Sequence, residues 1–240
     1  MIYFYTGTPG SGKSLHMAAE IYDAVWRGKN VIANFPINES YFAKAKHPEK
    51  LGRFIYVPNS QWMESAYTTR QAYDPVREAY FRGTVPPDHY TYLDGLYSYA
   101  LQFHKRDRKG RIIEHQTLLV LDECQGLFNN RSWAKKDRTA WVDFFREHRK
   151  YGFDIYLISQ DDQVIDKQIR AVLQFKVEHR SVKNYKLAGK LLAFLSGGNL
   201  FVWILSNYQI RSRDAWIKSE YFTGRKFYDF YNSYETFHTG

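Results

Sequence analysis

The chain predicts an α/β fold: a mostly parallel sheet with helices on both faces. Three observations carry this. Short apolar runs of strand length alternate with amphipathic runs of helix length along most of the 240 residues. The inner runs, such as Leu118–Leu121 and Ile155–Ile158, are continuously apolar, as parallel strands buried on both faces are. A glycine-rich turn joins the first apolar run to the first amphipathic one.

Taken in order, Ile2–Tyr5 is the first strand and Leu15–Trp26 the first helix, stopped at Gly28-Lys29-Asn30. Val31–Phe35 is a strand ended by Pro36, and residues 37–51 are polar and loop-like. Phe54–Val57 is a further strand, after which Ser60 is placed to cap a helix through Tyr73. Residues 74–116 change character, with Pro75, Pro86, Pro87, many tyrosines and the basic run His104–Arg111. They are expected to form an insertion with one helix near Leu93–Phe103 and a mobile basic tip. Thr117–Leu121 is a buried strand. Arg138–Lys150 is a helix, with Trp141, Phe144, Phe145 and His148 recurring on one side and Gly152 as its stop. Asp154–Ile158, a helix over Gln163–Leu173 and the strand Phe175–His179 follow. Residues 191–205 are largely apolar, but Ser196-Gly197-Gly198-Asn199 interrupts them well short of the roughly 20 residues a membrane span needs. A short helix and a strand over Leu200–Ser206 are expected there. The domain reading is a core over 1–182, with the insertion at about 74–116, and a C-terminal extension over 183–240.

The turn reads Gly7-Thr8-Pro9-Gly10-Ser11-Gly12-Lys13-Ser14. This is the phosphate-loop pattern G-x-x-x-x-G-K-[ST] between a strand and a helix, the context that gives it meaning. Glycines let successive N–H groups turn inward on phosphate oxygens, and the helix start adds partial positive charge. Lys13 is expected on the β- and γ-phosphates, and the Ser14 hydroxyl on Mg²⁺. A glycine-rich helix cap is the plain alternative. Leu118–Leu121 ends in Asp122-Glu123, where a second parallel strand of such a site carries an acid that orders the metal's water shell. Asp122 fits that role and Glu123 that of polarising the attacking water. Taken alone, the pair is equally a strand end meeting solvent. The third strand ends in Ser159-Gln160, so Gln160 is placed to bond the γ-phosphate or the water. Arg149 and Arg170, each near a helix end, are candidates for stabilising charge that develops in phosphoryl transfer. A surface ion pair or helix cap accounts for either equally well. The guanine-reading N/T-K-x-D motif is absent, so adenine nucleotide is the default and the expected cofactors are ATP and Mg²⁺.

Composition limits the function classes. Net charge is +9, which favours an acidic partner such as nucleic acid or an anionic membrane surface. Cys124 is the one cysteine, which excludes an intrachain disulfide framework and suits a reducing compartment. The chain starts directly in a strand, so no signal peptide is expected ahead of the fold. The eight histidines are scattered without metal-site spacing.

With these residues in hand, the chain resembles the zonular occludens toxin-like family, and within it the gene I assembly and export proteins of filamentous phages. The stretches that carry the resemblance are Leu118–Cys124, Phe128–Trp133, His148–Ile155, and Gln160-Asp161 with Val164–Arg170, together with the phosphate loop and the aromatic run Tyr228–Tyr231. Residues 36–116 match only loosely. The resemblance implies a P-loop NTPase of the additional-strand, RecA- or translocase-like type, with an extra strand between the loop strand and the Asp122-Glu123 strand. It implies a homo-oligomeric ring, with a hexamer as the candidate size, in which the C-terminal extension packs against the core or a neighbouring subunit. Arg149 matches the arginine that acts in trans in translocase relatives, and Gln160 matches their sensor. The implied work is ATP-driven assembly and extrusion at the host inner membrane. The implied partners are phage single-stranded DNA, coat proteins and other phage assembly and export proteins. The chain would then be the cytoplasmic domain of an inner-membrane protein, anchored through a segment absent from it. Other classes compatible with the motifs are a small-molecule P-loop kinase or metabolic NTPase, a non-hydrolysing nucleotide-binding scaffold, and a secreted toxin or receptor ligand. Glu123 directly after Asp122 weighs against the kinase, and the start of the chain against secretion.

Overall fold

A computed structural model describes residues 1–59, 62, 92–129, 135–184 and 199–231. The alternating pattern forms one sheet. Its strands are β1 (Ile2–Thr6), β2 (Asn30–Ala33), β3 (Phe54–Tyr56), β4 (Thr117–Leu121), β5 (Phe153–Ile158), β6 (Phe175–Ser181), β7 (Leu200–Asn207) and β8 (Trp216–Thr223), in the order β3-β2-β4-β5-β1-β6-β7-β8. Strands β1 to β6 are mutually parallel, while β7 and β8 are antiparallel additions beyond β6. β5 lies between β1 and β4, so the phosphate-loop strand and the Asp122-Glu123 strand are separated by one inserted strand. That is the additional-strand arrangement.

Each face of the sheet is covered. On one, Phe4, Leu119, Leu121, Ile155 and Leu157 pack against the helices α2 (Tyr92–Phe103), α3 (Lys135–Glu147) and the short α4 (Lys167–Arg170). On the other, Tyr5, Val31, Ala33, Val120 and Val177 pack against α1 (Lys13–Trp26) and the C-terminal aromatics. The alternation of Leu118 and Val120 with Leu119 and Leu121 serves both cores at once, which is why that run has no polar residue.

Several expectations need correction. The helix expected near Leu93–Phe103 is not among these: it forms as α2 and buries Leu93, Leu96, Tyr99 and Ala100 in the main core. The basic run 104–111 is not a loose tip. It forms a small hairpin in which Arg106 bridges Ile112 and the Asp107 carboxylate accepts from the Lys109 and Arg111 N–H groups. The helix expected over Gln163–Leu173 breaks into a turn at Asp162–Val164 and the four-residue α4. Asp161 and Asp166 each accept the N–H two residues ahead, at 2.9 and 2.7 Å, which ends one turn and starts another. β8 was not expected: it is exposed along nearly its whole length and so shows no apolar alternation. The helices read over 60–73 and before Gly197 lie outside the described residues, apart from Trp62.

The aromatic run near the C-terminus returns to α1. Phe230 is fully buried, with its ring edge-on to Tyr22, Tyr41 and Phe42. Gly224 approaches α1 so closely that a Cβ there would sit 1.8 Å from Leu15 Cδ2. These contacts place residues 224–231 beside the start of α1, and therefore beside the phosphate loop.

Candidate nucleotide site

The loop leaves β1 at Thr6 and enters α1 at Lys13. Gly7, Gly10 and Gly12 all take positive φ, at 145°, 69° and 92°. At Gly7 space excludes a side chain as well, since a Cβ would meet the His179 carbonyl oxygen at 2.4 Å. Lys13 Nζ donates to the carbonyls of Gly7 (2.7 Å) and Thr8 (3.2 Å), so the lysine closes across the mouth of the loop. Burial lowers its pKa, and the acids Asp122 and Glu123 partly counter that.

At the start of α1, Ser14 Oγ donates to Asp122 Oδ2 at 2.8 Å. Asp122 follows β4, two strands away from β1, and its buried carboxyl is pushed up to about 6 by desolvation, against the Ser14 and Glu123 hydrogen bonds. A side chain the sequence reading missed holds it there. Asn34 directly follows β2, next to β4; it accepts the Asp122 N–H at 2.6 Å and donates to the Asp122 carbonyl at 2.7 Å. Its only sequence signal is an amide at the end of an apolar run. Glu123 takes a left-handed conformation, φ 49°, donates its N–H to Asp122 Oδ1, and accepts a hydrogen bond from Gln125 Nε2. A non-glycine residue held at positive φ is the kind of strain that collects at functional sites.

Gln160 follows β5, and its carbonyl accepts from Thr6 Oγ1 at 2.9 Å. With Gly7, Thr8 and Pro9 it lines a cleft of about 760 Å³. The fold therefore brings Gly7–Ser14, Asp122, Glu123 and Gln160 to one end of the sheet. It does not bring the arginines there. Arg149 precedes β5 and is paired through two hydrogen bonds to Glu114, at 2.9 and 3.1 Å. Arg170 donates to Gln163 Oε1 at 2.9 Å and lines neither cleft beside the loop.

The Ser14 hydroxyl and Asp122 carboxylate are hard oxygen donors and suit Mg²⁺, which commonly takes one or two protein oxygens and completes its shell with phosphate and water. Among the described residues no group of three His, Cys, Asp or Glu side chains could hold a metal ion without such help. Beneath the loop, His16 and His179 form a buried pair, 2.8 Å between Nδ1 and Nε2, and burial lowers both pKa values.

A phosphate loop after β1, an acid pair after β4 and a polar strand end after the intervening β5 define a P-loop NTPase fold of the additional-strand type. The family described as Zonular occludens toxin (Zot) matches residues 98–190. It is similar to the Gene 1 protein of Enterobacteria phage I2-2, at 28% identity over 247 residues, covering 98% of this chain and 57% of that protein. To the Gene 1 protein of Enterobacteria phage f1 it is 25% identical over 243 residues, covering 98% and 60%. The chain thus spans about three fifths of the length of the curated relatives it matches. The fold is similar to the N-terminal domain of zonular occludens toxin from Neisseria meningitidis, with TM-score 0.50 and 16% identity over 96% of this chain and 97% of that one.

Proposed function

We propose that this chain is the ATPase part of a motor for filamentous phage assembly and extrusion. The observation that carries the enzymatic half is the 2.8 Å Ser14–Asp122 hydrogen bond, which couples the phosphate loop to the acid strand with Glu123 beside it. The similarity to Gene 1 proteins along 98% of the chain supports the biological half. In this reading the loop amides and Lys13 bind the β- and γ-phosphates of ATP. Ser14 and Asp122 would hold Mg²⁺, which neutralises phosphate charge when bound. Glu123 accepts a proton as water attacks the γ-phosphorus, the bond to the bridging oxygen breaks, and ADP and phosphate leave. Gln160 orients the water or the γ-phosphate.

The wider parts of the proposal are a homo-oligomeric ring, action at the host inner membrane, and movement of single-stranded DNA or coat protein. Among the described residues no helix is long and apolar enough to cross a membrane, so membrane attachment would come through another segment.

ATP turnover tests the core of this. Lys13→Ala should weaken nucleotide binding. Glu123→Gln should bind ATP as wild type does and hydrolyse it about 10²- to 10⁴-fold more slowly. Turnover at the wild-type rate in Glu123→Gln removes that residue from catalysis. ATP binding without turnover by the wild-type assembly supports the scaffold reading instead, and turnover only with a small acceptor supports a kinase.

A further inference from the structure

The first half of the loop, Gly7–Pro9, lines the cleft shared with Gln160, and the second half, Gly10–Ser14, lines a different one of about 320 Å³. That volume lies at the lower end of small-molecule sites, roughly 300–1,000 Å³. Its remaining walls come from Leu15 on α1, Phe201 on β7, Asn199 just ahead of it, Lys183 after β6, and Tyr228 and Tyr231 in the returning C-terminal segment.

The chemistry of these walls is specific. Phe201 lies against the loop itself, since a Cβ on Gly12 would sit 2.7 Å from its ring. Tyr228 keeps 44% of its surface exposed, yet its hydroxyl is fixed by donation to Asn199 Oδ1 at 2.8 Å. A partly exposed aromatic ring, tethered at its far end and lining a cleft, is a pre-organised stacking surface. Asn199 supplies amide donors and acceptors, and Lys183 a positive charge. Ser11, also on this cleft, is fully buried, and its Oγ has no hydrogen-bond partner among the described residues. A buried hydroxyl without a partner is costly unless something else satisfies it.

We propose that this cleft receives the purine base and ribose of the bound nucleotide, with Tyr228 as the ring on which the base stacks. The proposal rests on the phosphate-loop reading above. The loop amides and Lys13 take the phosphates, and the sugar and base leave past Ser14 toward the aromatic wall. The C-terminal segment is then part of the nucleotide site, and it reads the portion of the ligand that the phosphate loop ignores.

Binding of ATP and of inorganic tripolyphosphate, each with Mg²⁺, tests this on the full chain by calorimetry. Tyr228→Ala should bind ATP at least about tenfold more weakly, the equivalent of about 1.4 kcal/mol. It should bind tripolyphosphate as wild type does. Tyr228→Phe keeps the ring but frees its far end, and should lose less ATP affinity than Tyr228→Ala. Photolabelling with 2-azido-ATP should modify peptides containing Phe201 or Tyr228. The proposal is overturned if Tyr228→Ala binds ATP normally, if it loses ATP and tripolyphosphate together, or if the label falls on residues 176–181 of β6. Failure of the underlying reading looks different: Lys13→Ala would then bind tripolyphosphate as well as wild type does.

Discussion

Asp122 is a buried carboxylate whose backbone is clamped by a side chain from the neighbouring strand. Asn34 satisfies both its N–H and its carbonyl, and also donates to Asn59 Oδ1 at 2.6 Å. Asn34→Ala leaves two buried backbone groups of Asp122 without partners, each costing about 1–3 kcal/mol. A stability loss of about 2–4 kcal/mol is expected in urea unfolding. Turnover should also fall, because Asp122 can then drift from Ser14, while tripolyphosphate binding by the loop persists. Unchanged stability and turnover would show that Asp122 holds its place without the clamp. The positive φ of Glu123 belongs to the same scale: the turn after β4 holds the residue beside Asp122 at some cost in backbone strain.

At the scale of single elements, α3 ends in a turn that buries His148. Its Nδ1 bonds the Phe145 carbonyl at 2.6 Å, and burial pushes its pKa down to about 4. An unfolded histidine titrates near 6.5, so below that pH the unfolded state binds the extra proton first. The neutral folded form is therefore favoured above pH 6.5, and its stability falls as pH drops toward 4. This residue alone should cost about 2 kcal/mol by pH 5. In His148→Gln the drop in urea midpoint between pH 7.5 and pH 5 should shrink accordingly, and an unaltered drop would assign it to other groups. The basic hairpin is a second element with its own expectation. Arg111 pairs with Asp107 and Arg106 with the Gly110 carbonyl, so both are used in closing the turn. Lys105, Arg108 and Lys109 are exposed and are the cations available to phosphates. Neutralising these three should lower the salt slope of single-strand DNA binding by about 2, at about 0.7 per phosphate contact. A constant slope would place DNA elsewhere.

For the whole molecule, the position of Arg149 is decisive. It precedes β5 and Gln160 follows it, so the six residues of the strand, about 20 Å at about 3.3 Å each, separate the arginine from its own site. The basic hairpin lies toward the same end, because Gln116, which ties it down, is bonded to the Gly152 carbonyl at 2.8 Å. In the proposed ring Arg149 serves the neighbouring subunit's nucleotide, a contribution of about 10³-fold in turnover. Arg149→Ala and Lys13→Ala assemblies should each be inactive. Mixing them should restore activity at interfaces that pair an intact loop with an intact arginine. If mixed particles form and stay inactive, or if Arg149→Ala is fully active, Arg170 becomes the residue to test in the same way.

Short-range pattern sufficed for much of this. The phosphate loop, the apolar strands, the end of α1, the presence of α3 and Asp122-Glu123 each depend on residues within one turn or strand. There, hydrophobic period and backbone sterics leave few choices. The inserted strand and the trans role of Arg149 came through family resemblance, while Gln160 was placed by the end of its own apolar strand; the strand order agrees with the first of these. Other features depended on residues far apart in the chain. Asn34 gained its role from lying one strand away from β4, Phe201 from lying under Gly12, and Tyr228 from the return of the C-terminal segment onto α1. The break at Asp166 arose where side-chain acceptors competed with a continuous helix, and β8 formed by pairing with β7 without a buried face of its own. Local sequence settled most of the elements and the loop proposed to hold phosphate. Tertiary structure alone decided which side chains from distant strands surround it, because strand order and chain return bring those groups together and no spacing along the chain encodes them.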